Sequence, residues 1–323
     1  MSDDAGAPHG RAKKHPPTRA EIQAGLADVE AQMRARSDKI NARSGRNLGM
    51  AVLIGLGLGG GLLASLLIFK ELFMLFAGFL LVVAAIELAS ALRSSGRDIP
   101  RVPIVIAALV AVPASFYPLS IDLGFGRDAG HWFAILFGIA LVTLWRLVEL
   151  IWPSRRAPLN EVLKDLAGGV LIMTYVIFLA SFTVVLTAKD GGQWWTLAFL
   201  IIVVSTDVGA YATGLRFGKH PMAPKISPKK TWEGFAGAAG VAIIAGILLA
   251  IFMLQQQWWV GVILAVTMLL TAVSGDLVES LIKRDLGIKD ISSWLPGHGG
   301  LLDRLDSILL SAPVAYALFL IFT

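Results

Sequence analysis

The feature that most constrains the fold of this sequence is a succession of nine long apolar segments that begins at Leu48. They cover residues 48–69, 72–92, 102–121, 129–152, 166–187, 194–217, 232–254, 258–280 and 305–323. A helix needs about 20 apolar residues to cross a bilayer, and in lipid every backbone polar group must be paired within a helix or a closed barrel. The segments lack the alternation of barrel strands. The sequence therefore predicts an all-α polytopic integral membrane protein with about nine transmembrane helices.

The composition excludes several classes of protein. Hydrophobic residues make up 56% of the chain and charged residues only 16%, whereas soluble domains carry about 25% charged residues. The chain contains no cysteine, which excludes disulfide scaffolds, cysteine-ligated zinc, iron–sulfur clusters and thiol catalysis. We expect a lipid bilayer among its partners and no nucleic acid.

The basic residues predict the orientation of the chain. Residues 1–47 are polar, contain nine Lys or Arg residues and lack the apolar core of a signal peptide. We interpret them as a cytoplasmic basic tail, partly disordered, with a short amphipathic helix. With this tail inside, 24 of the 28 Lys and Arg residues fall on the inner side and three on the outer side. Such a bias predicts a multi-pass protein of the cell membrane with its N-terminus in the cytoplasm.

Candidate chemistry is concentrated in the second half of the chain. We divide the sequence into the tail, the N-terminal transmembrane helices 48–165 and a catalytic transmembrane region 166–323. Two cytoplasmic loops, 216–231 and 281–304, carry most of its charged residues. The active site is therefore expected on the cytoplasmic side.

The later loop follows a helix with a charged face. Spacings of i, i+4, i+7 and i+8 place four polar residues on that face, namely Asp276, Ser280, Lys283 and Arg284. The loop continues through Lys289, Asp290, Pro296, Gly297, His298, Gly299 and Gly300 to Asp303, Arg304 and Asp306. Its glycines allow backbone amides to approach a ligand, and Asp303 and Asp306 offer oxygens to a hard cation. This pattern suits a magnesium–phosphate complex, although Asp276 could instead be a structural carboxylate paired with Lys283 or Arg284.

The earlier loop has the features of an anion site. Asp207 and Tyr211 share one face of the sixth helix. Several polar residues precede the seventh helix, namely Lys219, Lys225, Ser227, Pro228, Lys229, Lys230 and Thr231. Ser227 with Pro228 at the first helical position, or Thr231 alone, can cap that helix, whose N-terminal amides favour phosphate. A plain topological charge cluster is the alternative.

Other polar and glycine residues within the apolar segments are weaker candidates. For Glu87 and for the pair Arg146–Glu149, the sequence is compatible with either a structural or a functional role. The glycines of the first and seventh segments are better explained by close helix packing than by nucleotide binding.

A signature in the later loop resembles that of the phosphatidate cytidylyltransferases, also called CDP-diacylglycerol synthases. The matching positions are Ser280, Lys283, Arg284, Lys289, Asp290, Ser292, Pro296, His298, Gly299, Gly300, Asp303, Arg304 and Asp306. The run from Ser227 to Gly234, and Asp207 with Tyr211 and Gly214, are also similar to that family. The resemblance covers about residues 170–323.

The resemblance implies magnesium-dependent transfer of CMP from CTP to phosphatidic acid, which gives CDP-diacylglycerol and pyrophosphate. It implies that Asp276 and Asp303 bind Mg²⁺. The catalytic set that we expect is Asp276, Asp303, Lys283, Arg284 and His298. The expected substrate-binding set is Asp207, Tyr211, Lys225, Ser227, Lys229, Lys230, Ser280, Lys289, Asp290, Gly299, Gly300, Arg304 and Asp306.

Alternative functions remain open from the sequence. Another CTP-using membrane enzyme, such as an ether-lipid cytidylyltransferase or a polyprenol kinase, is the nearest. A transporter would also place acidic residues in helices, but the sequence shows no repeat between its halves. A homo-oligomer is compatible with the sequence, which does not determine the number of copies.

Overall fold

A computed structural model describes residues 48–117, 129–292, 294 and 299–323. The predicted tail, 1–47, with its amphipathic helix, lies outside the described residues. From Ile54 onward the chain forms one compact unit.

Each of the nine apolar segments is helical in the part of the chain that the structure describes. In chain order the helices are α1 (Leu48–Ile68), α2 (Lys70–Ser94), α3 (Arg101–Phe116), α4 (Ala129–Glu149), α5 (Leu159–Ala188), α6 (Gly192–Phe217), α7 (Trp232–Phe252), α8 (Trp258–Asp285) and α9 (Leu302–Phe322). Among the described residues, seven helices are long and apolar enough to cross a membrane, while Gly55–Ile68 and α3 are shorter. The all-α polytopic class is confirmed, and the count of nine crossings stays a prediction.

Helix α5 differs from the predicted segment in its start and its interior. It begins at Leu159, seven residues before the predicted start at 166, and is of π type between Ile172 and Phe178. A π segment changes the direction in which side chains leave a helix and is frequent at functional sites. A similar extension at α8, which ends only at Asp285, shortens the predicted loop 281–304.

The loop before α7 contains a small antiparallel hairpin that the sequence analysis did not predict. Strand β1 (Pro221–Ala223) pairs with β2 (Ser227–Thr231), with Pro221 opposite Thr231 and Ala223 opposite Ser227. The proposed helix start at Ser227–Pro228 is therefore wrong, because both residues belong to β2. The alternative is confirmed, since Thr231 is the N-cap and its hydroxyl accepts a hydrogen bond from the amide of Gly234 at 3.1 Å.

Small residues allow the helices of the second half to pack closely. A Cβ on Gly237 of α7 would lie 2.1 Å from the hydroxyl of Thr213 on α6, and one on Gly275 of α8 would lie 2.4 Å from the carbonyl oxygen of Asp306 on α9. Either substitution would push the two helices apart. The structure thus supports the packing explanation for Gly237 and brings α8 and α9 into contact beside Asp276.

A buried ionic cluster joins the C-terminal end of α4 to the first turns of α5. Arg146, only 2% exposed, donates hydrogen bonds through Nε and Nη2 to one oxygen of Asp165 at 3.0 and 2.8 Å. It also lies 3.5 Å from carboxylate oxygens of Glu149 and Asp98. The predicted Arg146–Glu149 contact is present, but Asp165 is the closer partner. These contacts favour the structural interpretation of Arg146.

The connection between α2 and α3 contributes Asp98 to that cluster. Burial raises the pKa of Asp98, but the hydrogen bond from Arg155 and the charges of Arg146, Arg155 and Arg93 outweigh burial, so its pKa is below the usual value. The backbone amide of Asp98 donates to Asp165 at 2.7 Å. Asp98 is therefore held as a carboxylate between several arginines.

Candidate active site

The carboxylate of Asp276 on α8 is paired with a lysine from the hairpin. Nζ of Lys230, on β2, lies 2.6 Å from Oδ2 of Asp276, and the hydroxyl of Ser280 donates to Oδ1 at 3.3 Å. The alternative in which Asp276 pairs with Lys283 or Arg284 is therefore wrong, because its ion-pair partner comes from the other loop. The earlier predicted loop therefore meets α8 at this contact.

Lys283 lies two helical turns beyond Asp276 on α8 and bridges two acids. Its Nζ lies 2.6 Å from Oε2 of Glu279 and 2.9 Å from Oδ1 of Asp303 on α9. Glu279 is only 1% exposed and Lys283 is 16% exposed. Because charged groups are seldom buried unless they are paired, Lys283 is what allows Glu279 and Asp303 to approach each other.

The other oxygen of Asp303 accepts backbone hydrogen bonds from the later loop. The amide of Gly300 donates to Oδ2 at 2.8 Å and the amide of Ile291 donates at 3.3 Å. A Cβ on Gly300 would lie 2.9 Å from the same oxygen, and Gly299 has a φ of +82°, which favours glycine. The two glycines thus make room for the carboxylate of Asp303, and their predicted contact with substrate stays a prediction.

Glu87 on α2 caps the start of α9. Its buried carboxylate accepts hydrogen bonds from the amides of Leu301 and Leu302 at 3.0 and 2.8 Å and from the hydroxyl of Ser292 at 2.6 Å. A carboxylate is favourable at the positive end of a helix dipole. Glu87 therefore positions the helix that carries Asp303, which favours a structural role for this residue.

Two more acids complete the cluster. Asp207 of α6 interacts electrostatically with Asp276, Lys230 and Arg304. Asp306 of α9 interacts electrostatically with Asp276 and Asp207 and is 8% exposed. Acids from α6, α8 and α9 thus surround two lysines, and the repulsion among the acids would be relieved by a bound cation.

The remaining predicted residues lie at the edges of this cluster or outside the described residues. Nε of Arg284 donates to the carbonyl oxygen of Ile226 at 3.4 Å, which links α8 to the hairpin turn. Ser227 pairs in β2 and is partly buried. Five others are exposed, namely Tyr211, Lys225, Lys229, Lys289 and Asp290. His298 and Pro296 lie in a stretch that the structure does not describe.

Sequence reasoning missed Glu279 and Tyr175. Glu279 lies one turn from Asp276 but was not singled out, although its i, i+4 spacing to Lys283 was a usable signal. Tyr175, in the π segment of α5, is 6% exposed, and its hydroxyl has no hydrogen-bond partner among the described residues. It interacts electrostatically with Asp306, Glu279 and Asp276. A single tyrosine in an apolar run gives no sequence signal of this placement.

We expect Tyr175→Phe to lower turnover by about tenfold at saturating substrates, because a buried donor that faces the acidic cluster contributes about 1–3 kcal/mol when a reactant or water bonds to it. Steady-state kinetics of purified protein would measure this effect. Tyr117→Phe, at the exposed end of α3, is the matched control and should leave turnover unchanged. Equal turnover of the Tyr175 variant and the parent would show that the hydroxyl has no role in the reaction.

The acidic cluster fits a magnesium ion whose ligands come largely from substrate. Among the described residues, no group of three His, Asp or Glu side chains could hold a metal ion by itself. Mg²⁺, however, is usually held by one or two carboxylates together with waters and substrate phosphates. Asp276 and Asp303 can supply those carboxylates, so the donor chemistry fits the ion that the sequence predicts.

Carboxylates and partly buried lysines that meet near one end of several apolar helices are typical of a class of protein, the integral membrane enzymes that act on phosphate groups. Comparison with known sequences is more specific. The profile of the cytidylyltransferase family matches residues 50–322. The chain therefore belongs to the cytidylyltransferase family, and the match extends well into the first half, beyond the region of the predicted resemblance.

Individual relatives agree with this assignment. A protein of Mycobacterium leprae (strain TN) is 38% identical over 317 residues, which cover 95% of this chain and 98% of the relative. One of Mycobacterium tuberculosis (strain H37Rv) is 39% identical over 282 residues, 85% of this chain and 83% of the relative. One of Brucella suis is 41% identical over 128 residues, 39% of this chain and 47% of the relative. All three are named phosphatidate cytidylyltransferase, so the predicted resemblance is confirmed.

Proposed function

We propose that this enzyme transfers CMP from CTP to phosphatidic acid and releases pyrophosphate. The observation that carries this proposal is the meeting of two ion pairs, Lys230–Asp276 and Lys283–Asp303, beside the acids of α6 and α9. A nucleoside triphosphate and a phospholipid headgroup are both anionic, and the lysines offer the positive charge that brings them together. Membership of the cytidylyltransferase family supports CTP as the nucleotide substrate. The name of the relatives supports phosphatidate as the lipid substrate.

The reaction is an in-line displacement. A phosphate oxygen of phosphatidate forms a bond to the α-phosphorus of CTP, and the bond from that phosphorus to the bridging oxygen breaks. The electron pair leaves with pyrophosphate, so the product is CDP-diacylglycerol and no covalent enzyme intermediate is needed. Magnesium, when bound, neutralises charge that develops on the phosphates, and Asp276 and Asp303 are the residues that would hold it.

The lysines gain additional partners in this proposal when substrate binds. Without substrate, Lys230 and Lys283 are neutralised by Asp276 and by the acids Glu279 and Asp303. When the phosphates bind, the lysine ammonium groups face both the acids and the phosphate oxygens. Since both pairs are only partly exposed, these interactions are screened less than surface pairs.

In this proposal the enzyme lies in the plasma membrane, and its active site faces the cytoplasm. The bias of 24 inner to three outer basic residues supports this orientation, and CTP is then supplied directly from the cytoplasm. Phosphatidate enters from the inner leaflet, so its acyl chains need not leave the apolar phase.

Purified enzyme in detergent should convert CTP labelled at the α-phosphate and phosphatidate into a labelled lipid. One pyrophosphate should appear for each lipid, and chelation of divalent cations should abolish both products. A lipid labelled from the γ-phosphate instead would identify a lipid kinase, and a product only with an ether lipid would identify that substrate class. Activity that survives complete chelation would contradict the magnesium proposal.

The neighbouring lysines of β2 should differ in their effect on kinetics. Lys230→Gln breaks the 2.6 Å pair with Asp276, so we expect turnover to fall by about tenfold or more, since removal of one partner of a partly buried pair leaves the other uncompensated. Lys229 is exposed, and Lys229→Gln should raise the KM for CTP with little change in kcat. The matched pair of variants is compared by varying CTP at saturating phosphatidate. Identical kinetics for both variants and the parent would favour a purely topological role for these lysines.

A further inference from the structure

An apolar groove runs along the helices next to the acidic cluster. It is lined by α1, α2, α5, α6 and α9 and has a volume of about 290 Å³, close to the lower end of the range for ligand pockets. Among the described residues that line it, only Thr183 and Arg304 carry polar side chains. Its chemistry therefore fits an apolar chain with a charge at one end.

The charged end of the groove adjoins the proposed active site. Arg304 lies in the first turn of α9, one residue after Asp303, and interacts electrostatically with Asp207. Asp207 in turn interacts with Asp276 and Lys230. A molecule in the groove with an anionic group near Arg304 therefore presents that group to the cluster.

The length of the groove fits one acyl chain. On α2 its lining extends from Ala84 to Phe73, which corresponds to about 16 Å at the helical rise per residue. Half of the hydrocarbon core is about 15 Å thick. Since the acyl chains of one leaflet span that thickness, a lipid whose phosphate lies beside Arg304 could place one acyl chain along the groove towards the N-terminal end of α2.

We propose that this groove binds one acyl chain of phosphatidate and aligns its phosphate beside Arg304. This inference rests on the proposed function and adds to it a binding site for the lipid tail. A water-soluble phosphatidate with short chains does not fill the groove, whereas a long-chain phosphatidate does. The apolar part of the groove therefore selects for chain length, while Arg304 at its end lies beside the phosphate.

Glycines of α1 provide a matched pair of variants. Gly59 lines the groove, and a Cβ there would meet nothing within 4 Å. Gly59→Leu therefore fills the groove without a clash with the backbone. Gly60 is equally open but does not line the groove, so Gly60→Leu makes the same change in composition and helix propensity on another face of α1.

The experiment compares kcat/KM for dioleoyl and dihexanoyl phosphatidate in detergent. Gly59→Leu should lower the value for the dioleoyl lipid by about tenfold or more and leave the dihexanoyl value within about twofold of the parent. Gly60→Leu should leave both unchanged. If Gly59→Leu changes neither value, or lowers both equally, the groove does not bind the reacting lipid and the proposal is wrong.

A replacement variant and two further outcomes complete the test. If Gly59→Leu fails to insert, Ala180→Leu fills the same groove from α5 and takes its place in the comparison. A parent enzyme that forms no cytidine lipid from either phosphatidate contradicts the proposed function itself. A parent that uses both lipids, with variants that do not discriminate between them, contradicts the groove alone.

Discussion

Asp276→Asn and Asp303→Asn should each lower turnover by at least about a hundredfold, which corresponds to about 2.7 kcal/mol of transition-state stabilisation. Asn keeps the size of the side chain but removes the charge that would hold a cation and balance Lys230 or Lys283. Metal-assisted charge stabilisation contributes several kcal/mol to reactions of this type. Turnover is measured as release of pyrophosphate at saturating CTP and phosphatidate over a range of magnesium concentrations.

A carboxylate far from the cluster serves as the control for these two variants. Asp190 is exposed in the short connection between α5 and α6, and Asp190→Asn should retain normal turnover. The thermal transition of each variant in detergent shows whether the fold is kept. A folded Asp303→Asn enzyme with near-normal turnover at saturating magnesium would remove that residue from the proposed site.

Arg146→Met should destabilise the protein by about 3–5 kcal/mol, because it leaves the buried carboxylate of Asp165 without its main partner. Arg146 and Asp165 are 2% and 5% exposed, and the guanidinium donates two hydrogen bonds to one oxygen of that carboxylate. Unfolding of the purified protein in detergent, followed by heat or denaturant, measures the change. Residual folded protein should keep its normal KM for CTP, since the partners of Arg146 are Asp165, Glu149 and Asp98, and none of these belongs to the proposed site.

A second variant separates the charge from the packing of Arg146. Combining Arg146→Met with Asp165→Asn removes both charges, while the side-chain oxygen of the introduced asparagine can still accept from the amide of Asp98, as Asp165 does at 2.7 Å. The double variant should therefore be more stable than Arg146→Met alone. If the two are equally unstable, lost packing of the long arginine side chain, rather than an uncompensated charge, accounts for the effect.

Much of the fold could be predicted because each membrane helix corresponds to a continuous run of apolar residues in the sequence. The segment predicted at 232–254 is α7, Trp232–Phe252, and its cap at Thr231 follows from the preference of hydroxyl side chains for free helix amides. The hairpin could not be predicted in this way. Strand β2 contains Pro228, Lys229 and Lys230 and has no apolar alternation, and its partner β1 is only three residues long.

The members of the site were easier to predict than their pairing. Spacing along α8 places Asp276 and Lys283 on one face, but it does not show that Asp276 contacts Lys230, 46 positions earlier in the chain. Lys283 contacts Glu279 instead because i, i+4 side chains are neighbours on a helix. Tyr175 faces the acids from a π segment, and helical periodicity assumes 3.6 residues per turn throughout.

The cap that Glu87 provides for α9 ties the assembly of the site to the order in which the chain is made. Glu87 and Leu301 are separated by 214 positions, so Glu87 is synthesised long before the three groups that donate hydrogen bonds to it. Only after α9 has been made can its amides donate to that carboxylate and can Asp303 reach Lys283. The proposed site therefore cannot be complete before the last helix has been synthesised.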